Sequence, residues 1–298
     1  MNTAHAPLVF ALPGNEALAA GLATALSAQP GTLAYRRFPD GESYVRLVTD
    51  VAGRAVLLVC TLNAPDDKTL ALLFAARAAR ELGATRVGLV APYLAYMRQD
   101  KRFAAGEALT SNQYAALLAQ EFDWMITADP HLHRHHALAE IYTIATQTVH
   151  CAPLLSAWIA AHVPQPWVVG PDEESEQWVA SVAHVAHAPY VTLHKERHGD
   201  REVDIALPDL TPWRGRTPVL VDDIISSGRT MAVACERLIA AGCPAPVCVG
   251  VHALFADDAY DALRAAGAAR IVTTNTVVHP SNDMDVTPLL AEAARVFL

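Results

Sequence analysis

The chain is poor in lysine: Lys68, Lys101 and Lys195 are the only three in 298 residues. Its positive charge is therefore mostly arginine, whose planar fork suits bidentate contact with phosphate. A bias in genomic base composition produces the same imbalance. A positive net charge is missing too. The formal value is −9, which argues against a nucleic-acid backbone as partner and leaves a small polyanion open. Cysteine is sparse and odd in number, with Cys60, Cys151, Cys235, Cys243 and Cys248 and no CxxC pair. That pattern excludes a disulfide framework or a cysteine-based zinc site and fits the reduced thiols of a cytoplasmic protein. Residues 1–13 lack a basic start followed by a long apolar core, so no signal peptide is expected. No apolar run is long and uncharged enough to cross a bilayer, so no membrane partner is expected. No GxxxxGK[ST] string occurs, which removes a P-loop nucleotide site.

What is present is alternation. Short apolar runs at 8–12, 55–60, 86–91, 124–128, 167–169, 190–193, 218–221, 246–251 and 270–273 are separated by helix-length segments such as 16–27 and 66–82. Asn15 stands where a helix N-cap belongs. Strands without inside–outside alternation, joined by helices, indicate parallel sheets covered on both faces. With 298 residues the expectation is an α/β protein of two doubly wound parallel-sheet domains. The break falls near 144–149, giving domains over 1–148 and 149–285. In open parallel sheets ligands sit beyond the carboxyl ends of the strands, so the loops after these runs are where chemistry is sought.

The strongest such loop is Val219-Leu220-Val221-Asp222-Asp223-Ile224-Ile225-Ser226-Ser227-Gly228-Arg229-Thr230. It reads as an apolar strand ending in two acids, then a hydroxyl- and glycine-rich loop, then a helix. Backbone N–H groups of such a loop and the start of the helix favour phosphate. Ser226, Ser227 and Thr230 add hydroxyl donors, Gly228 lets the backbone approach the anion, and Arg229 adds a cation. Asp222 and Asp223 are suited to accept hydrogen bonds from vicinal sugar hydroxyls. Two acids beside an anion cradle describe a ribose phosphate. The plain alternative is a capped helix preceded by two solvent-facing acids.

This string resembles the 5-phosphoribosyl diphosphate motif shared by type I phosphoribosyltransferases and ribose-phosphate diphosphokinases, and the fold expected is of phosphoribosyltransferase-like type. Three further segments resemble the diphosphokinases. In Phe38-Pro39-Asp40-Gly41-Glu42, otherwise a plain turn signal, the resemblance implies that Phe38, Asp40 and Glu42 hold the adenine of ATP, often across a subunit interface. That implies a homo-oligomer, a dimer or higher. Tyr93-Leu94-Ala95-Tyr96-Met97-Arg98-Gln99-Asp100 follows a strand. Arg98 offers a fork to phosphate, while Gln99 and Asp100 are suited to adenine or its ribose. A solvated charged loop is the alternative. Asp129-Pro130-His131 is similar to the family's Asp-Leu-His, so the resemblance gives His131 a contact with the magnesium–ATP unit and makes Asp129 its orienting neighbour. Four histidines among residues 131–136 also suggest a transition-metal cluster; surface histidines are preferred for His133, His135 and His136.

The resemblance extends to His194-Lys195-Glu196-Arg197, similar to a Lys-Arg-Arg segment whose cations stabilise the transferring diphosphoryl group. Lys195 and Arg197 thereby become the catalytic candidates. The alternative is a hydrated surface turn. Gly170-Pro171-Asp172-Glu173-Glu174-Ser175-Glu176 departs from the family's Ser-Pro-Asp-x-Gly-Gly loop: Asp172 is kept as a metal candidate with His131, and the glycines are replaced by glutamates. Those acids would repel a bare polyphosphate, or open the next helix, where acids are favourable, or hold metal. The C-terminal residues 286–298 resemble the family's last helix, which packs back on the first domain. The activity implied is transfer of diphosphate from ATP to ribose 5-phosphate with Mg²⁺ as cofactor. A type I phosphoribosyltransferase and a non-catalytic regulatory homologue are the alternatives.

Overall fold

The computed structural model describes residues 6–132, 134–171, 175–198 and 202–298, with backbone only at 177, 194–198 and 202–206. It divides into two compact units, Met1–Val149 with Thr287–Leu298, and His150–Val286.

The first unit opens with β1 (Leu8–Ala11), α1 (Glu16–Ala25) and β2 (Gln29–Gly31), followed by a hairpin of β3 (Leu33–Arg37) and β4 (Ser43–Leu47). Then come β5 (Ala55–Val59), α2 (Pro65–Glu81), β6 (Arg86–Ala91), α3 (Thr110–Glu121), β7 (Trp124–Ala128) and β8 (Ala145–Val149). The main sheet runs β2-β1-β5-β6-β7-β8, and each pair in it is parallel. Its inner strands are continuous apolar runs, buried on both faces. Helix α2 starts at Pro65, with Asp66 and Asp67 in its first turn and Arg80 in its last, which suits the helix dipole at both ends.

Asn15 precedes α1, as expected of a cap, yet its side chain makes no capping bond. Its amide nitrogen donates to the carbonyls of Leu12 and Pro13, and its Oδ1 accepts the N–H of Thr61 at 2.8 Å. Asn15 thus ties the loop after β1 to the loop after β5. A buried backbone N–H left without an acceptor would cost more than a missing cap.

The second unit contains α4 (Ala152–His162), β9 (Pro166–Gly170), α5 (Glu176–Val185), β10 (Tyr190–Thr192) and a separate ribbon of β11 (His194–His198) and β12 (Glu202–Ala206). It continues with β13 (Thr217–Ile225), α6 (Arg229–Ala240), β14 (Val247–Ala253), α7 (Ala259–Ala265), β15 (Arg270–Thr274) and β16 (Asn282–Met284). Its sheet runs β10-β9-β13-β14-β15-β16, again parallel throughout. Trp167, Leu220, Leu238, Cys248 and Leu263 are among its buried core. The fold is therefore α/β, with two doubly wound parallel sheets. Among the described residues no helix is long and apolar enough to cross a membrane.

The last helix, α8 (Thr287–Ala294), belongs to the first unit. Phe297 stacks on Trp124 with centroids 4.7 Å apart, and its carbonyl accepts from Arg86 at 2.8 Å. Trp124 in turn lies against Gly88, its partner in register on β6. A Cβ at Gly88 would come within 2.1 Å of the indole, so glycine is required there by close approach. Gly88→Ala should cost about 2–3 kcal/mol through overpacking and lower the melting temperature by several degrees in a thermal scan. An unchanged melting temperature would show that the indole moves aside freely.

Candidate active site

In the second unit β13 extends through Ile225, so Asp222 and Asp223 lie within the strand and not after it. They are paired to β14 through Asp222↔Gly250, with Ile224↔His252 beyond. Ladder bonds continue the strand past the point where its apolar run stops. The N–H of Asp223 donates to Oδ1 of Asp222 at 2.9 Å, and both residues are half-buried. The chain then turns through Ser226, Ser227 and Gly228 into α6. Gly228 has φ +63°, a left-handed conformation that glycine adopts without strain. A Cβ there would also meet Leu263 at 3.3 Å. Arg229 and Thr230 form the first turn of α6, whose leading N–H groups have no acceptor within the helix by geometry.

The loop is held from the segment that follows the neighbouring strand β14. Phe255 N–H donates to the carbonyl of Ile225 at 2.9 Å, and Ala256 N–H to that of Ser226 at 3.0 Å. The ring of Phe255 packs on His279 at 4.4 Å and edge-on to Tyr260 at 5.2 Å. The phosphate-type loop is thus a backbone turn fixed at both ends, at the carboxyl end of a central strand.

Lys195 and Arg197 occupy alternate positions of β11, opposite Ile205 and Val203 of β12, with Glu196 between them. The segment is one strand of an antiparallel ribbon, and not the hydrated surface turn that stood as the alternative. Asp172, Glu173 and Glu174 lie outside the described residues, and α5 begins just after them with Glu176 in its first turn.

In the first unit the 38–42 turn joins β3 to β4. Phe38 N–H donates to the carbonyl of Glu42 at 2.8 Å, Gly41 N–H to that of Phe38 at 2.9 Å, and Asp40 Oδ1 accepts the N–H of Glu42 at 3.3 Å. Gly41 has φ +94°. Phe38, Asp40 and Glu42 are all exposed. The Arg36 guanidinium lies 4.2 Å from the Phe38 ring centroid and 4.6 Å from that of Tyr44. The hairpin therefore carries an aromatic ring, backed by a cation, at its solvent-facing tip.

After β6, Arg98 is exposed and Gln99 half-buried, while Asp100 turns inward. Gln99 Oε1 accepts from the Thr110 hydroxyl at 3.3 Å, which fastens the loop to α3. The Asp100 side chain is 2% exposed and bound through Oδ1 to Arg134 Nη1 at 2.5 Å. Its Oδ2 is buried with no partner among the described residues. Arg134 is a residue the sequence reading did not single out. The clue was that β6 and β7 are neighbours, so the loops after them lie side by side.

After β7, Asp129 is buried with φ +31°, and its N–H donates to the carbonyl of Val149 at 2.9 Å. His131 follows, half-buried. Among the histidines behind it, His133 lies outside the described residues. His135 Nδ1 meets Glu140 Oε2 at 3.0 Å, and His136 N–H donates to Oε1 of the same carboxylate at 2.9 Å. Those bonds, from the His136 backbone first, hold the Glu140 carboxyl below its ordinary pKa. Among the described residues, no three His, Cys, Asp or Glu side chains gather as a metal cluster.

A phosphate-type loop opening α6, two acids on the strand before it and a doubly wound parallel sheet define a phosphoribosyltransferase-type α/β protein. Residues 150–286 match the profile of the phosphoribosyl transferase domain. Residues 8–121 match that of the N-terminal domain of ribose phosphate pyrophosphokinase. A ribose-phosphate pyrophosphokinase of Methanopyrus kandleri is 34% identical over 289 residues, 96% of this chain and 98% of its own. One from Sulfurisphaera tokodaii is 33% identical over 264 residues, 86% of this chain and 89% of its own. The chain belongs to the ribose-phosphate pyrophosphokinase family. The crystal structure of the phosphoribosylpyrophosphate synthetase from Mycobacterium smegmatis shares the fold, with a TM-score of 0.84 at 24% identity over 98% of both chains.

Proposed function

We propose that this protein is a ribose-phosphate diphosphokinase, which moves the diphosphoryl group of ATP onto the anomeric hydroxyl of ribose 5-phosphate. The products are 5-phosphoribosyl diphosphate and AMP. The observation that carries this reading is a ribose-phosphate loop on β13 and α6 in a chain whose other doubly wound unit carries Arg98, Gln99, Asp100 and His131 after adjacent strands. A phosphoribosyltransferase needs only the first of these. The alignment with relatives of that name over nearly the whole chain supports the same reading.

Asp222 and Asp223 accept the sugar hydroxyls, and residues 226–230 hold the 5-phosphate through backbone N–H groups and hydroxyls. Arg98 reaches the phosphates of ATP. The unspent, buried Oδ2 of Asp100 is an acceptor for adenine or ribose, since a lone buried oxygen is costly until it is satisfied. The anomeric oxygen bonds to the β-phosphorus as the bond from that phosphorus to the α,β-bridging oxygen breaks. The hydroxyl proton passes to solvent water and AMP leaves on the bridging oxygen. Positioning and neutralisation of shifting charge dominate such transfers, and Lys195 and Arg197 are the cations for the moving group. Mg²⁺ would supply further charge neutralisation. His131 and Asp172, the latter outside the described residues, are the side chains that would hold it. We place the protein in the cytoplasm, where its substrates and reduced thiols belong.

The reading is tested by supplying ATP, Mg²⁺ and ribose 5-phosphate and separating the nucleotides. AMP should form only when the sugar phosphate is present. Formation of ADP, or of AMP without the sugar, would overturn it.

Phe38, Asp40 and Glu42 complete the ATP site of a neighbouring subunit in this reading, so the active species is a dimer or larger. Phe38→Ala should raise the KM for ATP about tenfold, the worth of one aromatic–base stack, with little change in stability. Mixing Phe38→Ala with Lys195→Ala should restore part of the activity, because one site in each mixed pair is intact. A fully active monomer, or no complementation, would contradict the shared site.

A further inference from the structure

The first sheet reverses direction at β1, with β2 on one side and β5 on the other. In open parallel sheets the crevice beyond the strands at such a point is the preferred place for a ligand. A cavity of about 380 Å³ lies there, lined by Leu12, Pro13, Tyr35, Arg37, Asp67, Lys68 and Ala71. It shares no residue with the sets assigned above to ATP and ribose 5-phosphate.

Its polar lining is unfinished. Lys68 Nζ donates to the carbonyl of Thr61 at 3.0 Å and to Oδ1 of Asn63. The third ammonium hydrogen has no acceptor among the described residues. Both acceptors it has are neutral, and burial pulls the Lys68 pKa below its ordinary value. Arg37 uses Nε on the Tyr35 hydroxyl at 3.2 Å and Nη2 on Asp67, at 3.1 Å to the carbonyl and 3.2 Å to the carboxylate. Its Nη1 is unspent among the described residues. Asp67 is the one acid on the wall and is engaged by Arg37. Two cations against one carboxylate make this lining positive in a chain of net charge −9.

We infer that this cavity binds a small phosphate monoester, with its phosphate between Lys68 Nζ and Arg37 Nη1 and its remainder against Leu12, Pro13 and Ala71. A phosphate accepts from donors in several directions at once, an arginine fork and a lysine point charge being its usual partners. A cavity of about 380 Å³ leaves room beside the phosphate for an organic group. The apolar wall supplies the surface for that group.

Pyridoxal 5′-phosphate is a suitable probe, because Arg37 can hold its phosphate while its aldehyde takes the Lys68 amine that would otherwise meet the phosphate of a bound monoester. The lysine amine adds to the aldehyde carbon, water leaves to give the imine, and borohydride reduces that to a stable secondary amine. With only three lysines in the chain, peptide mapping assigns the product without ambiguity. Lys68 should be modified well ahead of Lys101, and inorganic phosphate should protect it. Arg37→Gln should reduce modification of Lys68 about tenfold, the loss of one charged hydrogen bond. Asp223→Ala should leave it unchanged, which separates this site from the ribose-phosphate loop. Modification of Lys68 at the pace of Lys101, no protection by inorganic phosphate in the parent protein, or indifference to Arg37→Gln in a folded variant would each overturn the assignment.

Discussion

Lys195→Ala should leave ATP binding near normal while the turnover number falls about a hundredfold to a thousandfold, the worth of one charge-assisted contact in a dry site. Lys195 and Arg197 stand at alternate positions of β11, the strand that follows β10 at the edge of the second sheet. Among the described residues β11 pairs with β12 in a ribbon separate from the main sheet. If both cations act on charge that shifts during transfer, removal of one is felt in the transition state and hardly in the ground state. Calorimetry of ATP binding and single-turnover kinetics separate the two quantities. Turnover within a factor of about three of the parent, under about 1 kcal/mol by rate arithmetic, would mean that the ribbon has no part in the chemistry.

The second large effect is expected at Asp223. Its N–H is bonded to the Asp222 carboxylate, and both sit within a strand that is paired to β14 on either side of them, at Asp222↔Gly250 and Ile224↔His252. The two acids are therefore held in fixed relation to each other and to the loop that follows. If Asp223 accepts a sugar hydroxyl as proposed, Asp223→Ala removes a charge-assisted contact worth about 1.5–3 kcal/mol. The KM for ribose 5-phosphate should rise by at least tenfold to a hundredfold, or turnover should be lost. The KM for ATP and the melting temperature should hardly move. An unchanged KM for the sugar phosphate would remove this residue from the sugar site.

Much of the fold was legible because the inner strands of parallel sheets announce themselves as apolar runs. The runs at 86–91 and 124–128 coincide with β6 and β7. Some strands that lack two buried faces were not read, although β10, exposed at Tyr190, was. β8 alternates between exposed and half-buried positions along Ala-Thr-Gln-Thr before the buried Val149, and the sequence reading took it for a break between domains. β11 has no apolar residue at all, so its pairing with β12 leaves no periodic signal.

For the site, sequence supplied motifs, and the structure added their supports. Asp222 and Asp223 were read as ending a strand because apolar character stops there, yet the ladder with β14 continues to Ile225↔Ala253. The Asp100–Arg134 pair joins loops 34 residues apart in the chain. The cavity lined by Arg37 and Lys68 depends on a hairpin and a helix start meeting beside β1. Contacts of this kind follow from which strands are neighbours, which no local pattern encodes.

The central claim is tested most directly by two reactions run side by side, one with ATP, Mg²⁺ and ribose 5-phosphate, the other with 5-phosphoribosyl diphosphate and free purine or pyrimidine bases. Phosphorus NMR of the first should show AMP and 5-phosphoribosyl diphosphate appearing in equal amounts as ATP is consumed, and the second should show no nucleotide formed. Consumption of 5-phosphoribosyl diphosphate with a base, while ATP and ribose 5-phosphate stay intact, would contradict the account and make the protein a phosphoribosyltransferase.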